Sequence, residues 1–566
     1  MSATRSPFPR IPIMSIGDLM FGWGFSGLAL PRQGRRPTTG ARHDDPRFRA
    51  TFGRLACRSI MKAGSCLRSA LESLSIRPGG PRAGAPHFKK PPTARFSILT
   101  GLLLTLALAT RTLAASEPQA IDRLMTTLHE LGEFNGAVLV ATRGTVIYRQ
   151  SFGKADVHEN TDLTPETPFD IASVTKQFTA MAVMMLAEQD KIQFDDPVSK
   201  FIPEFSRSSP AREMTIRHLL THTSGIPDFD DLSLDDSGLS ETALIKGVLE
   251  RQAMLQKPGQ RFRYSNPGYK LLAIIVMRVS GQPLDEFLER RIFRPLGMGD
   301  TYVFNARSKR RPNTAAGYNQ FGDKDDVNPS TNPGGDGGVF STVDDLFKWD
   351  QALYTDRLVR QSTLSQAFTP AKVDTGGTSY GFGWNIAKKQ GVTLVWHTGK
   401  TAGFRAFIGR RLGDRATVIL LTNQGDSKRM EISECILNIL DGKPFTLPKA
   451  SGSRKLYNVI RDSGIQAALQ LFNSLKGARS AEFDFGESEL NTLGYKLLYG
   501  DKRAGAAIAI FQLNTEEHPR SSNAFDSLGE ACRVGGQKRR AIECYQKAIS
   551  LDPANLHAAA MLKELK

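Results

Sequence analysis

Residues 173–192 read SVTKQFTAMAVMMLAEQDKI, a stretch that begins with a serine and a lysine three positions apart and then continues almost without charge. Ser173 and Lys176 are expected side by side on one helix face, because residues three apart are neighbours on a helical surface. The apolar run at 178–186 predicts that this helix, over 173–192, is central to the fold. A serine hydroxyl needs a nearby base to act as a nucleophile, and a partly desolvated lysine can lose its proton and serve as that base.

A helix N-terminus at Ser173 would also favour a developing oxyanion, through free backbone N–H groups and the helix dipole. The pattern alone is a weak signal, because a chain of this length holds about one or two Ser-x-x-Lys matches by chance. The structural alternative is that Ser173 caps the helix and Lys176 is a solvated residue of the first turn.

Two further elements lie downstream of this helix. Tyr264 and Asn266 occur in the loop sequence RFRYSNPGY. A tyrosine beside an ammonium has its phenolate favoured and can shuttle a proton, and an asparagine can orient the lysine and bond a substrate amide. His397, Thr398 and Gly399 end a predicted strand, where the small residues leave room for an acyl group held by main-chain bonds along the edge.

Strands are predicted on both sides of these elements in the chain. A helix at 118–131 precedes a hairpin, and the middle of the chain, 210–370, is rich in loops with scattered helices. The predicted strands are 136–141, 145–152, 380–387, 393–397, 404–410 and 416–422. Strands at both ends and helices between them predict one α+β domain over 116–445, whose terminal segments share an antiparallel sheet.

Ser-x-x-Lys, Tyr-x-Asn and a strand with [Lys/His]-Thr-Gly, in this order, resemble the motifs of the serine β-lactamase and penicillin-recognising enzyme family. The tyrosine form of the second motif is similar to the class C β-lactamase and D-alanyl-D-alanine peptidase branch. Residues 215–226 (TIRHLLTHTSGI) and 337–350 (GGVFSTVDDLFKWD) also look like that branch. The resemblance covers roughly 120–445, about the size of one domain, and it implies a β-lactamase-like fold.

The resemblance implies a role for each catalytic motif residue. Ser173 is expected to be the acylated nucleophile, and Lys176 and Tyr264 to share the proton transfers. The oxyanion hole is expected to consist of the backbone N–H groups of Ser173 and Lys400. Neither a metal nor another cofactor is expected.

Substrate binding is expected from Asn266, His397, Thr398 and Gly399. His397 stands where the β-lactamases have lysine, and a histidine with an ordinary pKa is mostly neutral at pH 7. It therefore offers a weaker anchor for a substrate carboxylate, although histidine here also occurs among the family's peptidases and esterases. The expected function is a D-alanyl-D-alanine carboxypeptidase or β-lactamase-related hydrolase of amide or ester bonds. A small-ester esterase and a non-catalytic receptor for cell-wall peptides stay open.

Two other patterns indicate, more weakly, a zinc site and a phosphate-binding loop. His218 and His222 are four apart, a spacing that suits two zinc ligands, but Leu219 stands where a metalloprotease needs glutamate. Structural histidines are the favoured interpretation. Residues 332–338, NPGGDGG, are glycine-rich without the Gly-Lys-Ser/Thr ending of a phosphate loop, which favours a flexible wall of the active site.

After Gly442 the sequence predicts helices only. Leu-Gly pairs at 493–494 and 528–529 each open a predicted helix-turn-helix, and these end at Pro519 and Pro553, 34 positions apart. This period resembles the tetratricopeptide repeat.

We therefore expect an all-α, tetratricopeptide-like repeat domain over 455–566, with 455–476 as a degenerate further pair of helices. Small residues, Gly494 with Ala507 and Gly529 with Ala541, are expected to let the paired helices approach closely. The repeats are expected to bind a protein partner, and the hydrolase is expected to stay folded and active without residues 451–566.

The net charge of +17 is concentrated in residues 1–95, which carry 17 Lys/Arg and 4 Asp/Glu. Residues 96–566 then hold 57 Lys/Arg and 53 Asp/Glu, a net charge of +4. This small charge gives the folded body no reason to bind nucleic acid. We interpret 1–95 as a basic, disordered extension or as a misassigned start. The five cysteines include no CxxC pair, so no disulfide framework is expected.

An apolar run at 96–110, FSILTGLLLTLALAT, follows Lys89, Lys90 and Arg95 and leads into small residues. This layout is typical of a secretory signal over 96–115 and is too short for a stable membrane span. It predicts export to the periplasm or the extracellular space. Organelle targeting through the basic N-terminus is the alternative.

Overall fold

The structure is a computed structural model. It describes residues 116–566 except 208–210, 233, 235–238, 252–255, 306–307, 327–333, 372, 374–378, 390 and 479–480. The predicted extension at 1–95 and the signal-like segment at 96–115 lie outside the described residues. The described residues belong to one compact unit of the chain.

An antiparallel sheet of seven strands, counted within the described residues, organises the first part of this unit. Its order is β2-β1-β12-β11-β10-β9-β8. The strands are β1 (Gly136–Thr142), β2 (Thr145–Phe152), β8 (Ser379–Tyr380), β9 (Asn385–Lys389), β10 (Val392–Thr401), β11 (Phe404–Arg411) and β12 (Ala416–Thr422). β1 pairs with β12, with Leu139 opposite Ile419, so the two ends of the domain share one sheet as predicted.

The strand predicted over 380–387 is interrupted between β8 and β9. At Gly381 an added Cβ would lie 2.0 Å from the carbonyl oxygen of Ala367. Gly383 has a φ of 79° and its added Cβ would lie 2.9 Å from the Cα of Gln177. The chain leaves the sheet here because it must pass between two backbones at a distance that only glycine allows.

Helices cover both faces of the sheet. α1 (Glu117–Glu130) and α11 (Arg429–Leu440) pack on one face, with a core that includes Ile121, Phe407 and Ile436. The larger helical layer packs on the other face around α2 (Thr175–Ala187), every residue of which except Ala187 is buried. The central position predicted for this helix is confirmed, although the helix is shorter than 173–192.

The remaining elements of this first part are short. The strands are β3 (Lys154–Asp156), β4 (Thr161–Asp162), β5 (Phe169–Asp170), β6 (Tyr302–Val303) and β7 (Val339–Ser341). The α-helices are α3 (Ile216–Leu220), α4 (Phe229–Leu232), α5 (Glu241–Glu250), α6 (Asn266–Ser280), α7 (Leu284–Leu288), α8 (Arg294–Leu296), α9 (Val343–Ala352) and α10 (Gln361–Ala367). Single 3₁₀ turns lie at Ala172–Val174, Val198–Lys200, Pro203–Arg207 and Ala211–Glu213, and a π turn at Glu289–Phe293.

The C-terminal part is helical, as predicted, apart from a short parallel pair, β13 (Ala450–Ser451) with β14 (Phe483–Asp484). The helices are α12 (Gly452–Ser463), α13 (Ile465–Ala478), α14 (Glu487–Tyr495), α15 (Ala504–Glu517), α16 (Ser522–Val534), α17 (Lys538–Leu551) and α18 (Leu556–Leu565), with a π turn at Lys496–Gly500. They enclose a separate apolar core. The identity of the repeat stays a prediction.

The paired helices approach closely at both glycines, as expected. An added Cβ on Gly494 would lie 2.5 Å from the ring of Phe511, and one on Gly529 would lie 2.8 Å from the ring of Tyr545. These aromatic residues stand one helical turn beyond Ala507 and Ala541. Each glycine therefore makes room for an aromatic ring of the paired helix.

The two parts of the unit touch through α12. Arg454 donates from Nη1 to Glu133 Oε1 at 2.9 Å, pairs with Asp426 through Nη2, and donates from Nε to the carbonyl oxygen of Gln320 at 3.0 Å. The Phe321 ring lies 4.8 Å from the Tyr457 ring. The junction between the two parts is thus a packed, charged contact. Whether the first part folds and is active without residues 451–566 stays a prediction.

Among the described residues, none of the helices combines the length and the apolarity that crossing a membrane requires.

Candidate active site

Ser173 lies in the middle of the 3₁₀ turn that leads from β5 into α2. β7 holds this turn from one side: the Ile171 N–H donates to the Val339 carbonyl at 3.0 Å, and the Val339 N–H donates to Thr175 Oγ1 at 3.2 Å. Ala172, directly before the serine, has a φ of 47°. The nucleophile candidate therefore sits on a tight turn that is fixed on both sides, rather than at the start of the α-helix itself.

Lys176 is fully buried and reaches three oxygen atoms. Its Nζ donates to Ser173 Oγ at 3.0 Å, to Asn266 Oδ1 at 2.7 Å and to the carbonyl oxygen of Asp336 at 2.8 Å. These contacts fix the amine against the serine hydroxyl. The solvated position that was the alternative for Lys176 is therefore excluded, and the first two motifs meet at one atom.

Tyr264 completes this group. Its hydroxyl is in hydrogen-bond contact with Ser173, and Lys176 Nζ lies 4.9 Å from its ring centroid. Burial raises the Tyr264 pKa well above 10, and the nearby Asp228 charge adds to this, while the bond with Ser173 opposes it. The expectation that the ammonium favours a phenolate was wrong for this arrangement, because burial outweighs the attraction.

Asn266 begins α6, where the Ser265 hydroxyl caps the helix by accepting the Gly268 N–H at 3.2 Å. Asp228 accepts the Asn266 N–H at 3.2 Å through Oδ1 and the Asn266 side-chain amide at 3.1 Å through Oδ2. These bonds turn the amide so that its oxygen faces Lys176. Burial raises the pKa of Asp228. The sequence did not identify Asp228, which lies two residues beyond the quoted 215–226 segment.

The glycine of the third motif brings β10 against the nucleophile turn. An added Cβ on Gly399 would lie 2.2 Å from the carbonyl oxygen of Ile171. Pairing of β10 with β9 ends at Trp396 opposite Asn385. In the part of the chain that the structure describes, the Thr398–Gly399 edge beyond Trp396 thus lies next to Ser173 without a partner strand on that side.

His397 does not lie at this edge, where the sequence placed it. It is 2% exposed. Its Nδ1–H donates to the Thr398 carbonyl at 2.7 Å, and its Nε2 accepts the Tyr380 hydroxyl at 2.8 Å. Burial, aided by the Lys176 charge, lowers its pKa to about 3. His397 is therefore a neutral residue packed beneath the strand, which corrects its assignment as a substrate-binding side chain at the edge.

The two histidines with zinc-like spacing make separate contacts. His218 Nδ1 accepts the Thr215 N–H at 3.2 Å as part of the cap of α3. His222 Nδ1 accepts the Ser265 N–H at 3.1 Å, and its ring centroid lies 4.2 Å from that of Tyr264, with the two rings tilted by 33°. Burial lowers the His222 pKa well below 6.5. His222 thus supports the loop that carries Tyr264, and no group of potential metal ligands occurs among the described residues.

The glycine-rich wall is anchored rather than loose where it is described; residues 332–333 lie outside the described part. Thr179 Oγ1 donates to the Gly335 carbonyl at 2.7 Å. Lys270 is 1% exposed, and its Nζ lies 3.5 Å from Asp336 Oδ1. This buried pair holds the residue whose carbonyl accepts Lys176. The sequence carried no spacing signal for it.

Three cations interact near the end of β10, where Asp325 and Asp426 also act on one of them, Arg405. Lys400 lies opposite Arg405 in the β10–β11 register, and Arg429 begins α11. Burial and the charge of Arg405 lower the Arg429 pKa to about 9. Burial, with the charges of Arg405 and Arg429, also lowers the Lys400 pKa. Mutual repulsion of this kind marks a place where an added anion is attracted.

Comparison with known proteins gives concordant findings. A model of the beta-lactamase family matches residues 121–434. Penicillin-binding protein 4* of Bacillus subtilis (strain 168) is 32% identical over 358 residues, which cover 59% of this chain and 78% of that protein.

Solved structures are similar as well. The octameric penicillin-binding protein homologue from Pyrococcus abyssi has 28% identity and a TM-score of 0.52, covering 61% of this chain and 81% of that one. The D-amino acid amidase from Ochrobactrum anthropi SV3, complexed with L-phenylalanine amide, has 25% identity and a TM-score of 0.50, covering 58% of this chain and 99% of that one.

Proposed function

The chain belongs to the beta-lactamase family, and from that premise we propose that it is a serine hydrolase that works through an acyl-enzyme on Ser173. The observation that carries the proposal is the 3.0 Å contact between Lys176 Nζ and Ser173 Oγ, with the amine held in place by Asn266 and Asp336. A nucleophile and its base must lie within hydrogen-bond reach, and a third group must orient the base. This site meets both conditions.

Lys176 and Tyr264 act as one proton-transfer unit in this proposal. The proton that leaves Ser173 Oγ on attack moves onto the unit, and the Tyr264 hydroxyl returns a proton to the leaving group. The raised Tyr264 pKa means that the tyrosine rests protonated, so the unit can accept the serine proton only after Lys176 has lost one of its own protons. Acylation is therefore expected to rise with pH until that proton is lost.

The oxyanion hole is proposed at the backbone N–H groups of Ser173 and Lys400. The contact that only a glycine at 399 permits, against the Ile171 carbonyl, supports this assignment because it brings the next peptide of β10 beside the serine. Two backbone donors fixed by a turn and a strand need little reorganisation when charge develops on the substrate oxygen. Thr398 and Asn266 are proposed to bind the acyl portion of the substrate.

The proposed substrate is a peptide or amide of a D-amino acid, such as a D-alanyl-D-alanine terminus, with a carboxylate near the scissile bond. The cations Lys400, Arg405 and Arg429, which interact near the end of β10, support an anionic substrate. The similarity to a D-amino acid amidase supports amide chemistry. A small-ester esterase is the second candidate, favoured by the neutral, buried His397 in place of a lysine.

The test is a substrate panel combined with covalent labelling. The full chain is incubated with a fluorescent penicillin and a fluorophosphonate, and turnover is measured on a D-Ala-D-Ala peptide, nitrocefin and a p-nitrophenyl ester. Labelling that maps to Ser173 and vanishes in Ser173→Ala supports the proposal, and the preferred substrate then separates peptidase, β-lactamase and esterase. Absence of any adduct in the wild type would instead favour a non-catalytic receptor for cell-wall peptides.

Export and partner binding complete the proposal. Residues 96–115 are proposed as a cleaved secretory signal that delivers the hydrolase to the periplasm or beyond, where cell-wall peptides occur. The C-terminal helices are proposed to bind a protein partner. Mass spectrometry of the mature N-terminus tests export, since recovery of peptides from 1–95 in the mature protein would contradict it and leave organelle targeting.

A further inference from the structure

Ala172, the residue directly before the nucleophile, is held in a conformation that L-residues avoid. Its φ is 47°, in the left-handed region where Cβ crowds the backbone. The Asp170 carboxylate, two residues earlier, accepts the Ala172 N–H through Oδ1 at 2.7 Å. Asp170 is 5% exposed. A buried carboxylate on the N–H of a strained alanine requires an explanation, because neither feature serves the apolar core around it.

We propose that Asp170 is a positioning residue for acylation: it holds Ala172 in the left-handed conformation and thereby aims the backbone N–H and the hydroxyl of Ser173 at the substrate. The proposal rests on the proposed function of Ser173. It adds a residue that touches neither substrate nor the Lys176–Tyr264 unit and that acts through the peptide preceding the serine.

The neighbouring contacts show why the turn needs this bond. The Ile171 N–H is fixed on Val339, and the Val174 N–H closes the turn on the Ile171 carbonyl at 3.1 Å. That same carbonyl lies against Gly399, where no room is left. If Ala172 relaxed to a negative φ, the Ile171 and Ser173 peptides on either side would have to rotate. The rotation would move Ser173 away from the β10 edge or push the edge outward.

The surroundings of Asp170 fit a positioning role better than an electrostatic one. Burial raises its pKa to about 7, and the charges of Asp326 and Asp336 oppose ionisation while Arg310 favours it. A carboxyl whose charge is opposed by its environment is a poor choice for supplying a fixed negative field. Its oxygen accepts a hydrogen bond in either protonation state, and that bond is what the geometry uses.

A double-mutant cycle in the full chain tests the proposal. The variants are Asp170→Ala, Ala172→Gly and the two together, and the readout is the second-order rate constant for labelling of Ser173 by a fluorophosphonate. Asp170→Ala is expected to lower this rate constant by about tenfold to a hundredfold, because small misplacements of reacting groups have effects of that size. In the Ala172→Gly background the same change is expected to lower it by at most about threefold, because glycine adopts a positive φ without strain.

Asp170→Asn is the conservative control, since its side-chain oxygen can still accept the Ala172 N–H. It is expected to stay within about threefold of the wild type. Equal losses for Asp170→Ala in both backgrounds would overturn the proposal, and so would an Asp170→Asn variant as slow as Asp170→Ala, because then charge rather than backbone position matters. Melting temperatures of all variants show whether a loss reflects unfolding.

A crystal structure of Asp170→Ala provides a readout that does not depend on turnover. The proposal expects the Ala172 φ to become negative or the turn to shift against Gly399. An unchanged left-handed Ala172 would overturn it even if the wild type is active. Failure of the proposed function is a separate result, since it appears as a wild type that is not labelled at Ser173.

Discussion

The β-lactamase-like part and the C-terminal helices differ in the charged residues that they bury. The hydrolase core encloses full charges: Lys176 and Lys270 near the serine, and the Arg410–Asp350 pair, in which both side chains are fully buried. The core of the C-terminal helices is built mostly from leucine, alanine and aromatic rings that fill the space beside glycines, with Glu530 as a buried carboxylate that accepts two tyrosine hydroxyls. The core of the first part depends more on pairing of buried charges, and the core of the helices depends more on close packing of rings against glycines.

Because of this difference, substitutions in the two parts are expected to have different effects on activity and on stability. A buried charge is costly to desolvate and is retained only where partners surround it, so charge changes in the hydrolase are expected to alter function first. A buried ring against a glycine contributes through close packing, so shape changes in the helices are expected to alter stability first. One charge substitution and one shape substitution test this expectation.

The largest effect is expected at Lys176. Lys176→Met keeps the apolar stem and removes the amine, and kcat/KM on the best substrate is expected to fall by at least about 10³-fold, because serine, lysine and tyrosine act as one unit. The melting temperature is expected to change little, since a methionine of similar volume replaces a buried charge.

The matched control is Lys270→Met, which removes the other buried lysine near the serine. Lys270 contacts Asp336, whose carbonyl oxygen accepts Lys176, so its effect on Ser173 is indirect and a loss of about tenfold is expected, roughly 1.4 kcal/mol of barrier. Equal losses for both lysines would mean that the buried charge itself, and not contact with Ser173, determines the rate.

The second effect is on stability in the helices. Gly529→Ala places a Cβ 2.8 Å from the Tyr545 ring, and this overpacking is expected to lower the free energy of unfolding by about 1–3 kcal/mol. Gly505→Ala is the control, since its added Cβ meets nothing within 4 Å on α15 and is expected to stabilise that helix by up to about 1 kcal/mol.

Urea unfolding measures both glycine variants, and ester or peptide turnover per folded molecule is expected to stay unchanged. A drop in turnover for Gly529→Ala at temperatures where the protein is folded would show that the helices control the active site, and the separation of the two halves would then fail.

The third effect concerns a residue that orients rather than reacts. Asp228→Ala removes both acceptors of Asn266 and leaves its amide free to rotate away from Lys176, so kcat/KM is expected to fall by about tenfold. Asp228→Asn keeps one acceptor and is expected to lose less. A tenfold loss for Asp228→Asn as well would indicate that the negative charge, acting on Lys176 and Tyr264, is what the site needs.

The sequence predicted the parts of this site that motifs encode. Ser173 and Lys176 lie one helical turn apart, and that spacing alone predicts their contact. The 34-residue period likewise predicted paired helices. These signals are local or repeated, so they can be read along one chain.

The remainder of the site depends on contacts between segments far apart in sequence. Asp228 meets Asn266, and Lys270 meets Asp336, across 38 and 66 residues, and no spacing rule connects them. The burial of His397 depends on Tyr380 from the next strands of the sheet. A period-two pattern predicts on which face of a strand a side chain lies. It does not predict which side chain from another strand it contacts there.

The smallest effect is the pH dependence contributed by His397. Its pKa is about 3 in the folded protein against about 6.5 when unfolded. The unfolded chain therefore binds a proton that the folded chain does not, and the stability contributed by the neutral histidine is present above pH 6.5 and is lost as the pH falls from 6.5 toward 3.

Between pH 6.5 and 5.5, the wild type is expected to lose about 1 kcal/mol more stability than His397→Gln, which cannot titrate. His222 and the buried carboxyls are common to both proteins, so their contributions cancel in the difference, which urea unfolding at the two pH values measures. Equal losses would mean that His397 titrates in the folded protein as it does in the unfolded chain, as expected of a histidine at the substrate edge rather than beneath the strand. If His397 lies at the substrate edge, His397→Lys is expected to favour anionic substrates. If His397 is buried against Tyr380, the same substitution is expected to lower turnover on nitrocefin and on a neutral ester alike.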